Sequence, residues 1–442
     1  MSFPIDIEQL ELSAPESVGM SSAKLSEIDD VVATAIADGK IEGAVVAVSR
    51  RGKPVYFSAH GTDNAKTLSP MQKDNLFIMM SSTKPVTGVA AMIAIEQGLF
   101  DPNDAVEKYI PQFKDIQVAV LKNPIDKDIS PAYVWSTSGE SANFFTRMAD
   151  TLMAKFTDGY LLHVPEHRTV AAHRPITIHD LLTHTSGLAS YGLGVAVSDW
   201  GAALGDKAGF SSSDYTLESY IDLVAKGPLD FQPGTRWMYS ALVGLDVVAR
   251  IIEVTSGQAF NTFVQQHIFD PLDMRDTYWL QALPEEKRAR RVVLTYGDGK
   301  KDKNGDLSNY KSRYFSGSVG LVSTARDYLH FEQMLVNKGT LFGQQILKES
   351  SVATMSSNQI GDLYGRSSKG KGEGFGYSVS VTLDPTKSMM QRGKGGFGWA
   401  GALGTTSWSD PARELSVVVM VQQPTEDFPQ KIAKVVTQAV TE

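Results

Sequence analysis

Apolar residues first recur at helical spacing at Leu25, Ile28, Val31, Val32 and Ile36, a stretch opened by Ser21-Ser22-Ala23-Lys24. That spacing gathers the side chains into one stripe on a helix face, and Ser21 is a residue type that caps free N–H groups. The period then changes. Gly43-Ala44-Val45-Val46-Ala47-Val48-Ser49 and Val55-Tyr56-Phe57 flank Arg51-Gly52-Lys53, which predicts two strands joined by a tight turn. The far end of the chain mirrors this. Phe375–Val381, Leu403–Trp408 and Leu415–Val421 read as strands, and Ile432, Val435, Val436 and Val440 mark a closing helix. Between the ends, Val86–Leu99, Ile178–Leu182, Leu217–Val224, Leu242–Val254 and Phe260–Ile268 carry helical periodicity. The expectation is an α/β (α+β) protein. Residues 1–75 and 290–442 supply an antiparallel sheet flanked by helices, and 76–289 an inserted, mostly helical domain. About 122–173 reads as an insertion, broken by Pro124, Pro131 and Pro165.

Composition narrows the class. Across 442 residues, 42 Lys and Arg stand against 50 Asp and Glu, a net charge of −8, which argues against a nucleic-acid partner. With no Cys, disulfides, thiolate nucleophiles and zinc–thiolate sites are excluded. No apolar run approaches the roughly 20 residues that span a bilayer. Met1-Ser2-Phe3-Pro4-Ile5 has neither the basic nor the apolar region of a secretory signal. The expectation is a cytoplasmic protein without membrane partners; its oligomeric state is left open.

Two motifs look like chemistry and fail on context. His163-Val164-Pro165-Glu166-His167 matches H-x-x-E-H, but Pro165 interrupts the helical turn that would align the two rings, so no metal site is expected. Gly393-Lys394-Gly395-Gly396-Phe397-Gly398 matches G-x-G-x-x-G, yet strand-like sequence follows where a dinucleotide site needs a helix. No cofactor is implied.

Ser-x-x-Lys occurs at Ser21/Lys24, Ser81/Lys84, Ser308/Lys311 and Ser368/Lys371. Context separates the four. Ser81 alone sits between an apolar run, Leu76-Phe77-Ile78-Met79-Met80, and a long apolar helix with Pro85 in its first turn. There a hydroxyl meets unpaired N–H groups and the positive end of the helix dipole, which favour a developing oxyanion. Lys84 lies on the same face and reaches that hydroxyl. A lysine turned into a base needs burial and a neighbouring positive field. Phe231-Gln232-Pro233-Gly234-Thr235-Arg236-Trp237-Met238-Tyr239-Ser240 delivers a tyrosine after a turn and before a helix. His179–Leu188 ends a helix sharply, and Gly398-Trp399-Ala400-Gly401-Ala402 starts a strand with small residues that let a substrate approach the backbone.

Together and in this order, these segments resemble the serine β-lactamase and penicillin-binding-protein superfamily, in its class C-like branch holding the family VIII carboxylesterases. The resemblance runs from Pro15-Glu16-Ser17-Val18-Gly19-Met20 through Ser81–Lys84, His184-Thr185-Ser186-Gly187-Leu188 and Pro233-Gly234-Thr235 to Gly317–Tyr328 and Gly401. It implies a β-lactamase/transpeptidase-like fold, Ser81 as acylated nucleophile, Lys84 as its proton partner and Tyr239 as general base or shuttle. It also implies an oxyanion hole from the Ser81 and Ala402 N–H groups, with Trp399 and Gly401 against the substrate. Where lactamases and peptidases of this superfamily have Lys or His, Trp399 offers an apolar wall, which favours neutral esters over carboxylate-bearing substrates. The expected activity is hydrolysis of a small-molecule carboxylic ester through an acyl-enzyme. Its alternatives are acyl transfer, β-lactam or D-amino-acid peptide cleavage, and a non-catalytic binding protein. Trp135 in the insertion, with Tyr191 and Trp200, forms either a pocket for a bulky substrate or ordinary packing.

Overall fold

Strands β1 (Gly43–Arg50) and β2 (Lys53–Asn64) are joined by Arg51 and Gly52 alone, with φ of 51° and 73°. Two left-handed residues in a two-residue loop give the turn whose twist suits an antiparallel pair; the predicted hairpin forms, with Arg50 paired to Lys53, which opens β2 instead of lying in the turn. The computed structural model describes residues 10–121, 167–188, 215–294, 312–366, 370–425 and 427–441. They fall into two units, one of Met1–Glu96, Asn261–Tyr310 and Val319–Glu442, the other of Gln97–Phe260 and Lys311–Ser318.

The first unit continues from that hairpin. Strand β3 (Ser69–Pro70) follows, and the C-terminal part adds β4 (Glu373–Phe375), β5 (Ser380–Thr382), β6 (Phe397–Ala400), β7 (Thr406–Asp410) and β8 (Leu415–Met420). The order is β4-β5-β6-β7-β8-β1-β2-β3, antiparallel throughout. Both ends of the sequence therefore build one sheet, with β8 beside β1 in the register Val46↔Val419. Its longer helices include α1 (Glu27–Ala37), α2 (Thr83–Glu96), α3 (Ala325–Val336) and α4 (Phe428–Ala439).

Every residue of β1 and β8 is buried, because both faces of the sheet are covered. Ala44, Val46, Val48, Val417 and Val419 pack with Ile28 and Val32 of α1 and Ile432 and Val436 of α4. Each such side chain contributes on the order of 1.5–3 kcal/mol on leaving water. Helix α3 lies on the opposite face, where its Glu332 takes hydrogen bonds from Ser407 and Ser409, the residues on either side of inward-facing Trp408. Two-sided burial is why Val417–Val421 is a continuous apolar run instead of an alternating one.

Two strands differ from expectation. Phe375–Val381 is not one strand; it bends between β4 and β5, where Ser378 has φ 65° and the Tyr377 N–H donates to Met355 O at 2.9 Å. Leu403–Trp408 starts instead in a turn, and β7 begins at Thr406. The turn follows β6, with Gly401 N–H donating to Thr405 O at 2.7 Å and Gly404 N–H to Gly401 O at 3.0 Å. Gly393–Gly398 leads into β6, so no helix follows that glycine motif.

The second unit is helical around Ile178–Leu182, Leu217–Val224 and Gly244–Ser256, with a strand pair Gln117–Leu121 and His167–Ala171. Thr177 and Asp180 form a reciprocal capping box at the first helix. Burial pushes the Asp180 carboxyl up, but Arg174 and Thr177 outweigh it and hold the pKa below the usual carboxylate range. Asp246 accepts from Ser316 Oγ at 2.7 Å and Ser318 N–H at 2.8 Å, tying 316–318 to the helix Gly244–Ser256. Among the described residues no helix is long and apolar enough to cross a membrane.

Candidate active site

Ser81 stands where a three-stranded ladder hands the chain to α2. Phe77–Ile78 pairs with Leu321–Ser323, which pairs with Tyr278–Trp279. The Ile78 N–H donates to Gln422 Oε1 at 2.7 Å and the Met79 N–H to Leu321 O at 2.8 Å. Met80 then takes φ 46°, an unusual backbone for a residue with a side chain, and Met80–Ser82 forms a single 3-10 turn before α2. A left-handed non-glycine immediately before a serine is strain of the kind that collects at functional sites.

Within this turn, Lys84 Nζ donates to Ser81 Oγ at 3.3 Å. Lys84 is fully buried, while Ser81 is 8% exposed. A cation taken out of water carries a desolvation cost, so a lysine is kept there for its chemistry or for its partners. Ser82 and Thr83 fix the backbone on either side. Tyr328 OH of α3 donates to Ser82 O at 2.5 Å, Ser82 Oγ and Thr405 Oγ1 are 3.0 Å apart, and Leu321 N–H donates to Thr83 Oγ1 at 3.3 Å.

Thr405 connects this turn to the end of β6. Its Oγ1 donates to Met79 O at 3.1 Å, and its carbonyl accepts the Gly401 N–H. Gly401 is pressed so closely that a Cβ there would stand 2.2 Å from Met79 O and 2.4 Å from Thr405 Oγ1. The sequence-predicted Ser81, Lys84 and Gly401 are thus brought together, and exposed Ala402 follows Gly401 in the same turn. Trp399 is half-buried on β6, its ring edge-to-face with Phe375 at 5.4 Å. Of the two cations just before this strand in sequence, Lys394 is exposed and Arg392 is buried, paired with Glu373 at 2.8 Å and hydrogen-bonded to Ser380 Oγ at 2.8 Å.

Tyr239 belongs to the second unit, half-buried beside the turn at His184. The His184 ring meets it edge-on at 5.0 Å, and Trp237 stacks at 6.3 Å. Trp135, Tyr191 and Trp200, offered as a pocket, lie outside the described residues, as does the insertion up to 166. Sequence reasoning missed Thr405 and Tyr328 as supports of the serine turn. It quoted His184 only as part of a motif and gave it no role.

A family profile described as Beta-lactamase matches residues 28–441. Esterase EstB of Burkholderia gladioli is 26% identical over 92% of this chain and 92% of its own length. Lovastatin esterase of Penicillium rubens is 30% identical over 76% of this chain and 73% of its own. Among solved structures, EstCE1, described as a hydrolase with promiscuous acyltransferase activity, superposes with a TM-score of 0.70 at 23% identity, covering 94% of this chain and 98% of that one. This superposition gives the fold, which is that of β-lactamases and transpeptidases.

Proposed function

The chain belongs to the Beta-lactamase family, and from that premise we propose that it is a serine hydrolase of small-molecule carboxylic esters, acting through an acyl-enzyme on Ser81. The observation that carries this is Ser81 Oγ within 3.3 Å of a fully buried Lys84 Nζ at the start of α2. The esterase names of two relatives point the same way.

Ser81 Oγ attacks the ester carbonyl carbon and passes its proton to Lys84, and Tyr239 is proposed as the second of the pair of proton-transfer residues. The carbonyl oxygen becomes an oxyanion facing the N–H groups of Ser81 and Ala402, at the positive end of α2. The C–O bond to the leaving alcohol breaks as that alcohol takes a proton from the pair. Water then attacks the acyl-enzyme, loses a proton to the same pair, and releases the acid with Ser81 restored. An alcohol in place of water yields a new ester instead, and product analysis with added alcohol separates the two acceptors.

Trp399 sets the substrate class. An apolar ring stands where a carboxylate-binding cation is expected in lactamases and peptidases, and Arg392 is already held by Glu373. A free carboxylate would leave water without a charge-assisted partner, a loss of roughly 1.5–3 kcal/mol.

The test is p-nitrophenyl butyrate hydrolysis with its pre-steady-state burst. Wild type is expected to release about one equivalent in the burst, and Ser81→Ala to lose both the burst and at least about a thousandfold in kcat. Butyrate turnover that survives Ser81→Ala would remove the nucleophile from this reading.

A further inference from the structure

The segment that carries Tyr239 is short, lies between a Pro-Gly turn and a helix, and pairs with no strand among the described residues. What holds it instead is the turn after helix Ile178–Leu182. Asp230 N–H donates to Gly187 O at 2.9 Å and Gly234 N–H to Thr185 O at 2.8 Å. The contacts then converge on one residue. His184 O accepts the Met238 N–H at 3.0 Å, and His184 Nδ1 accepts the Ser240 N–H at 3.3 Å. Between those two donors lies Tyr239, whose ring meets the His184 ring at 5.0 Å and 76°.

We infer that His184 is the positioning residue of Tyr239, holding it from both flanking peptides and from the ring edge at once. The inference rests on the proposed proton-transfer role of Tyr239. His184 itself is 1% exposed and has φ 58°, a conformation that turns both its carbonyl and its ring toward one stretch of chain. Such a backbone is strained for a residue other than glycine, and it persists only where surrounding contacts fix it. Here they do. Thr185 N–H donates to Asp180 O at 2.8 Å, and Thr185 Oγ1 to the Asp180 carboxylate at 3.2 Å. On the other side, Ser240 Oγ accepts the Gly244 N–H at 2.8 Å, so the clamp continues into the start of helix Gly244–Ser256.

The side-chain chemistry is specific. Accepting the Ser240 N–H requires a lone pair at Nδ1, so the ring is the neutral tautomer with its proton on Nε2. An asparagine supplies an acceptor in nearly the same place but no ring. A phenylalanine supplies the ring but no acceptor. Histidine supplies both.

The experiment is a double-mutant cycle read as kcat and KM for p-nitrophenyl butyrate, with unfolding midpoints recorded for every variant. Tyr239→Phe alone tests the underlying reading and is expected to lower kcat about 10²- to 10⁴-fold. His184→Asn and His184→Phe are each expected to lower kcat about 10- to 100-fold with KM within about twofold. Added to Tyr239→Phe, either substitution should cost less than about twofold more, because the residue it positions is already silenced. Multiplying effects in the double variants would overturn the inference while leaving the role of Tyr239 intact. Wild-type kcat in Tyr239→Phe would instead overturn that role, and the inference with it. Should the His184 variants not fold, imidazole ¹⁵N shifts of the wild-type protein decide: a bare Nδ1 on His184 is expected, and a protonated Nδ1 would overturn the clamp.

Discussion

At position 401 there is no room for even one more carbon. A Cβ would press on Met79 O and Thr405 Oγ1, atoms that belong to the turn holding Ser81 and to the brace beneath it. Gly401→Ala must therefore push the end of β6 away from the serine turn, and the Ala402 N–H moves with it. The expected result is a fall in kcat of about 10²-fold, the scale of losing one oxyanion donor, with a smaller change in KM. Steady-state kinetics on butyrate check this, and an unchanged kcat would remove Ala402 from the proposed oxyanion hole. Ser81 and Lys84 were readable in the sequence because an apolar run and an apolar helix frame them. Thr405 was not, since its hydroxyl meets Met79 O across 326 positions of chain, and no local pattern records such a bond. The left-handed φ at Met80 was hidden for the same reason: the bonds that flank it, from Met79 N–H to Leu321 O and from Thr405 Oγ1 to Met79 O, come from residues far along the chain.

Helix α3 brings two carboxyl groups into the interior. Burial raises Asp327 to about 6 and Glu332 to about 7, although Ser407, Ser409 and Arg392 oppose the shift at Glu332. For an acid raised in the folded state, the native protein keeps its proton after the unfolded chain has lost it. The contribution to stability is thus full below the ordinary Glu value near 4.5, declines as pH rises, and is gone above about 7. Glu332→Gln removes that slope. Relative to wild type, the variant should gain stability between pH 5 and pH 8, by up to roughly 3 kcal/mol, on top of a constant offset from altered bonds to Ser407 and Ser409. Unfolding midpoints of both proteins across that range check it, and a constant difference would mean Glu332 ionises in the native state at ordinary pH. At this scale α1, α2, α4 and the β1–β2 hairpin followed directly from periodicity and turn chemistry, whereas the helix Ala325–Val336 was not read from the sequence. The split of Phe375–Val381 did not, because the bend is set by Met355, whose carbonyl lies 2.1 Å from where a Gly376 Cβ would stand.

Over the whole molecule, the proposed preference for neutral esters would combine local chemistry with overall charge. The chain carries 42 basic against 50 acidic residues, so an anionic substrate approaches a molecule of its own sign. In the proposed site at the end of β6 it would then meet Trp399, which is edge-to-face with Phe375, with Arg392 paired to Glu373. A neutral ester would meet neither obstacle, and on this proposal its apolar chain packs against the same ring. Wild type is accordingly expected to hydrolyse p-nitrophenyl butyrate with a kcat/KM at least about tenfold above that for a chromogenic cephalosporin, which carries a carboxylate. Trp399→Lys places an ammonium at that position and should narrow the ratio by about tenfold or more, both by weakening the ester and by admitting the carboxylate. Parallel kcat/KM measurements on the two substrates with both proteins decide it. A cephalosporin turned over faster than the ester by wild type would reverse the assignment, and a ratio unmoved in Trp399→Lys would show that selectivity resides elsewhere than at this ring.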